Sequence, residues 1–388
     1  MIVRSVRRSA ALSGLVLASL SSGACGSDSP ATVAVNCDGV ELLVAASDYS
    51  ESMLCGAPTR CERGPSTVSP ELGKDPQLSI SGGRAFFLAR DNDRIYEVDP
   101  VCGYATDRYS IEIEGARGLT NPQDVAVAAD GSLFVTLFNV PRVAIMKGGK
   151  VDGTIDLSTY DRLDGNPQAN AIRIVDVGGV PKAFVTLGVL DDSDGQRFFT
   201  SKRPSLMLRI DVASRKVEAS IELAGRNPFN TMAQQGDLLF FAEPGNFDSD
   251  TDDFAGIERF DTATSTTRLL VRERDLGGSV SEVAVTDACG VAIVAGLAPA
   301  NPTALVTFDP ASGQVLASIR APLLGPTSGY DLQGLAWRGN SLFVGDRRRG
   351  GAGYPVHVFD RDPGTCNLRP ATRTIAVPQR PVALRPAR

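Results

Sequence analysis

One histidine, one tryptophan and five methionines are all that this 388-residue chain holds of those types. With only His357, no multi-histidine metal site can be built, and without a second His or a neighbouring thiol it reads as a structural residue. No C-x-x-C pair is present to give zinc its usual ligand spacing. Serine-nucleophile elbows of G-x-S-x-G type, P-loops and dinucleotide fingerprints are also missing. Positive charge is not in excess: 39 Lys+Arg face 45 Asp+Glu, a formal charge of -6, which leaves no electrostatic footprint for nucleic acid. What remains is ordinary globular composition, 43% hydrophobic and 22% charged, too apolar for a disordered chain.

Long apolar runs are missing too. The stretch Ala10–Leu20 falls well short of the ~20 residues that span a bilayer. Following Arg4, Arg7 and Arg8, it reads as the core of an export signal. Small residues then lead to a cysteine, Ser22-Gly23-Ala24-Cys25. That segment resembles the lipobox of bacterial lipoproteins, although Ser22 stands where the family has Leu. The resemblance implies cleavage after Ala24 and a diacylated Cys25; the alternative is a plain secretory signal with Cys25 an ordinary thiol. Gly26 follows, not the Asp that retains some lipoproteins at the inner membrane, so the expected address is the outer membrane, on either face. Residues 25–36 form a small, polar tether.

Export places the other cysteines in an oxidising compartment. Cys37, Cys55, Cys61, Cys102, Cys289 and Cys366 are an even set with fifteen connectivities, of which a local Cys55–Cys61 link is the one favoured pair.

From residue 37 to 388 no apolar period of 3.6 is sustained. Short β-rich runs recur in a fixed order. A first run starts polar, as in Gln123-Asp124-Val125, Asn170-Ala171-Ile172 or Gln333-Gly334-Leu335. A more apolar run follows, such as Leu238-Leu239-Phe240-Phe241-Ala242, and then one ending in Asp, at Asp211, Asp261, Asp309 and Asp360, about 50 residues apart. A fourth run, such as Lys216–Ile221, ends the unit. Between Asp99 and Asp211 one copy is degenerate near Ile145-Met146-Lys147. A four-strand unit repeated at this period is the pattern of an all-β propeller blade.

First runs near 77, 123, 170, 230, 282, 333 and 380 predict seven blades, with six or eight left open. The last, Pro381–Arg385, has no partners after it; Val40–Ala46 and Glu51–Cys55 have no first run before them. Both ends are therefore expected to share one blade, which removes exposed sheet edges.

The segment Ile210–Ile221, running on to Gly225-Arg226-Asn227-Pro228, resembles the YVTN/NHL-like repeats of bacterial surface propellers. This resemblance implies the fold; propellers host many activities, so it decides little else.

Asp124, Asn170, Asn230, Glu282, Gln333 and Arg380 head the first runs and are expected at one channel mouth. Propeller lactonases and related hydrolases hold Ca²⁺ there with a Glu/Asn/Asp set, so a hydrated cation is one reading and a watery channel lining the other. The loop carrying Asp248, Asp250 and Asp252 has alternating acids like a Ca²⁺ loop, but Asp253 and Arg259 break the EF-hand pattern; a solvated acidic loop is its plainer reading. The expectation is a monomeric, lipid-anchored envelope propeller that binds or scaffolds a protein or glycan. A Ca²⁺-dependent hydrolase or lyase is the alternative.

Overall fold

The second strand of each repeat is buried on both faces, and the architecture follows from that burial. Residues such as Leu42–Ser47, Leu133–Leu137 and Gly290–Ala295 are buried throughout. Because side chains alternate across a strand, such a run must pack on two neighbours at once. Leu42, Val44 and Ala46 join one apolar cluster, while Leu43 and Ala45 join the next.

In a computed structural model describing residues 37–58, 60–61, 71–191, 200–247, 252–296 and 300–388, these strands form seven four-stranded antiparallel sheets. The sheets stand in a ring, a seven-bladed β-propeller. Seven apolar clusters fill the seven junctions between blades. Among the described residues α-helix is confined to the single turn Glu273–Leu276.

The innermost strands of blades 1 to 7 are Pro76–Ser81, Pro122–Val127, Ala169–Val177, Phe229–Gln235, Ser279–Val285, Leu332–Arg338 and Pro381–Pro386. Outermost strands such as Lys216–Glu222 alternate exposed and half-buried residues. Blade 7 closes the ring as expected: Pro381–Pro386 pairs with Leu42–Ser47, with Val44 opposite Leu384.

The recurring Asp has a local cause. Asp99, Asp211, Asp261 and Asp309 each accept backbone N–H groups two and three residues on, or three residues on for Asp211, at 2.7–3.0 Å. Such Asx turns close the hairpin between third and fourth strands. In the degenerate copy, strand Arg142–Lys147 turns through Gly148-Gly149, both at positive φ, which replaces the Asp device.

Disulfides join Cys37 to Cys102 and Cys289 to Cys366, the first at a Cα separation of 4.9 Å and the second at 4.6 Å. Cys55 is also disulfide-bonded, and the strand register sets it opposite Cys61. The expected signal, Cys25 and the tether lie outside the described residues.

Candidate functional site

An irregularity shared by blades 2 to 7 builds the site. At the start of the innermost strand the ladder slips: between Pro122 and Asp124, Ala169 and Ile172, Phe229 and Ala233, Val280 and Glu282, Leu332 and Leu335, and Pro381 and Ala383. A β-bulge leaves its extra residue unpaired and re-aims the side chain. The residues skipped include Gln123, Asn170, Asn230, Ser281 and Gln333, and all five line one cavity of about 520 Å³ at that mouth of the channel. Asn230 holds φ 65°, a left-handed conformation that asparagine tolerates better than most residues. Blade 1 contributes Gln77 and blade 7 contributes Val382.

The wall is rich in amides and aromatic rings. Asn121, Asn227 and Asn246 join the bulge residues from loops, beside Tyr49, Phe138, Phe229, Phe247 and Tyr330. Phe229 and Phe247 meet edge to face at 5.1 Å. Charge is scarce and already matched. Arg90 pairs with Asp75 at 2.5 Å and donates to Gln123 Oε1 at 2.9 Å. Glu282 is buried; burial pushes its carboxyl above the ordinary range, while Arg385 and two backbone N–H groups pull the other way. Those donors are Leu335 N at 3.0 Å and Gly334 N at 2.9 Å.

From the cavity wall inward the channel is strutted between blades. Gln77 Nε2 of blade 1 donates to Asn230 Oδ1 of blade 4 at 2.8 Å. Arg173 Nη2 of blade 3 donates to Met232 O at 2.6 Å, and Arg385 Nη2 of blade 7 to Thr231 Oγ1 at 2.8 Å. Blade 4 thus receives a strut from three other blades. A second recess of about 480 Å³, lined by Trp337, Arg173 and Arg385 among others, adjoins this layer.

Of the six residues placed at the mouth from sequence, Asn170, Asn230, Glu282 and Gln333 do line the cavity. Asp124 does not. It is fully buried in the ladder one residue beyond the bulge, and Gln123 takes its place. Asp124 instead ties three blades together: it accepts from Ser79 Oγ at 2.6 Å, Ile172 N at 3.1 Å and Arg173 Nη1 at 2.6 Å. Arg380 is exposed just before its strand and is also absent from the wall. In blade 7 the same slip falls between Pro381 and Ala383, so the equivalent position is Val382, two residues on from Arg380. A one-residue slip reverses which face a side chain takes, and a period-two pattern cannot register it.

Asp248 and Asp250 lie outside the described residues. Asp252 caps its own loop, accepting from Phe254 N at 2.9 Å, and does not line the cavity. His357 Nε2 stands 3.0 Å from Asp346 Oδ2. Burial raises the Asp346 carboxyl, but His357 and Arg348 more than offset it and leave it well below its usual range.

The residues at the mouth do not fit Ca²⁺. Calcium takes six to eight oxygen ligands. Here both Glu282 oxygens accept backbone N–H groups, and Asn230 Oδ1 accepts from Gln77 and from Thr231 N at 3.0 Å. Arg385 and Arg173 already supply positive charge beside Glu282 and Asp124, and would repel a dication. Among the described residues no group of three or more His, Cys, Asp or Glu is placed to hold a metal.

No family model matches the chain, and no curated protein does. Solved structures resembling it include the WD40 repeats of RRP9, at 12% identity over 78% of this chain and 80% of that one, with a TM-score of 0.53. A streptogramin B lyase matches at 10% identity over 80% and 86%, with a TM-score of 0.52. A 6-phosphogluconolactonase candidate from Bacteroides uniformis matches at 11% identity over 89% and 99%, with a TM-score of 0.51. At such identities the likeness is one of fold alone, so what the chain shares with a WD40 repeat domain, a lyase and a lactonase candidate is the propeller ring.

Proposed function

We propose that this protein is an envelope-anchored, YVTN/NHL-like propeller that acts as a binding module, taking a small uncharged ligand at the mouth where the innermost strands begin. One observation carries the reading: the cavity of about 520 Å³ is walled by amides and aromatic rings, while its charged residues Asp75, Arg90 and Glu282 are matched within the protein. A preformed cavity of ~300–1,000 Å³ with a few placed polar groups is the usual form of a small-ligand site. Hydrolysis or elimination would need an unengaged acid, base or metal, and the mouth's carboxylates are committed to backbone and arginine. The lipid anchor at Cys25 rests on the lipobox-like sequence, and the outer membrane on Gly26.

The rival reading, a Ca²⁺-dependent hydrolase or lyase, draws on the fold shared with the lyase and lactonase candidate. Calorimetric titration of the full chain with CaCl₂ separates the two. No binding up to millimolar Ca²⁺ is the expected result. Micromolar binding abolished by Glu282→Gln would overturn the binding-module reading in favour of the enzyme.

A further inference from the structure

We infer that the ligand of this mouth is a neutral saccharide, an inference that rests on the binding-module reading above. Four asparagines of the wall each have one end of the amide fixed by the protein. Asn121 Oδ1 accepts from Gln123 Nε2 at 2.7 Å, and Asn246 Oδ1 accepts from Ser201 N at 2.7 Å. Each therefore keeps its NH₂ group for another acceptor. Asn170 Nδ2 donates to Pro228 O at 2.8 Å, and Asn227 Nδ2 to Gly245 O at 2.7 Å. Each of these keeps its carbonyl oxygen. With the flip of every amide set, the wall presents two donors and two acceptors that have no partner among the described residues.

A ligand must answer both kinds. A hydroxyl donates and accepts at once, and a sugar ring carries several at fixed spacing. An apolar or flat aromatic ligand would strand these four ends away from water without partners. A charged ligand would surrender its hydration in a cavity whose lining ions, Asp75, Arg90 and Glu282, are already paired, and the Arg347 guanidinium at the rim is engaged by Tyr49 and Gln333.

The rim supplies the other half of sugar recognition. Tyr330 is 38% exposed, Tyr49 52% and Phe247 36%. Exposed rings at the edge of a polar cavity suit the C–H face of a pyranose, whose apolar patch lies back to back with its hydroxyl-bearing edge. Arg347 lies over the Tyr49 ring at 4.8 Å and donates to Gln333 Oε1 at 2.5 Å, so this ring and a wall amide are held by one guanidinium. The chemical class that fits amides below and rings above is a neutral mono- to trisaccharide.

The test is saturation-transfer NMR and calorimetry on the full chain with maltotriose, cellotriose, chitotriose and mannotriose, beside a glucuronate disaccharide and a neutral tripeptide. At least one neutral sugar is expected to bind, with saturation reaching its ring C–H protons. Tyr330→Ala and Asn246→Ala, one at the rim and one in a loop, should each weaken that sugar about tenfold, or about 1.4 kcal/mol. Their melting curves serve as the folding control. Sugar binding unchanged in both variants would overturn the inference. So would binding of only the glucuronate or the peptide, lost in Tyr330→Ala; the site would then stand as a binding module, its ligand uncharged with the peptide and anionic with the glucuronate. No probe binding at all would overturn both.

Discussion

Asp124 offers a direct test of how the ring is held. It is fully buried, and its side chain is 1% exposed against 13% for Arg173, its partner at 2.6 Å. Asp124→Ala removes the carboxylate but leaves the guanidinium buried, together with Ser79 Oγ and Ile172 N, which also donate to it. Breaking a buried pair from one side costs about 3–5 kcal/mol, mostly because a charge is left without compensation. Single domains of 150–250 residues lose about 2–4 °C per kcal/mol, and this ring is larger, so a fall in Tm of about 8 °C is expected. Differential scanning calorimetry measures it. Arg173→Met in the same background removes the stranded charge, so the double variant should cost at least about 2 kcal/mol less than the two single losses combined. A loss below about 1 kcal/mol for Asp124→Ala, or a cycle that is additive within about 0.5 kcal/mol, would refute the idea that this ion pair staples blades 1, 2 and 3.

Two further outcomes follow from the same reasoning. Glu243 is fully buried with neither carboxyl oxygen hydrogen-bonded among the described residues; burial first, and then the charge of Glu258, push its pKa well above the ordinary value. The folded state thus binds this proton more tightly than the unfolded chain, so stability present below the unfolded pKa is lost as pH rises towards the folded one. Glu243→Gln, which cannot ionise, should raise Tm by a few degrees at pH 7.5 and leave it nearly unchanged at pH 4; equal shifts at both would count against an ionising Glu243. For the anchor, Cys25→Ser should move the protein from the membrane to the soluble fraction on ultracentrifugation, and continued membrane partition would rule out lipidation there.

Much of the fold was legible in the chain because its causes are local. Period-two burial, Asx turns at Asp211, Asp261 and Asp309, and a unit of about 50 residues all leave a mark within a few positions of where they act. The join of Pro381–Pro386 to Leu42–Ser47 was legible by subtraction, since each end lacked the strands that the other held. The site was legible only in part. Asn170, Asn230, Glu282 and Gln333 stand where their place in the repeat suggested, but Gln123 replaces Asp124; Asn121 and Asn227 belong to Asn-Pro pairs that recur before innermost strands without marking the cavity, and Asn246 lies in a loop outside the repeat.

The amino-acid order by itself determined which strands form and that their two greasy faces must be covered by neighbours. Tertiary structure alone decided which polar side chains meet across the channel. That depends on bulges that shift the register by a residue, and on contacts such as Gln77 with Asn230, 153 positions apart, which exist only once the circle is closed. Burial is a property each strand carries along its length, whereas convergence belongs to the ring.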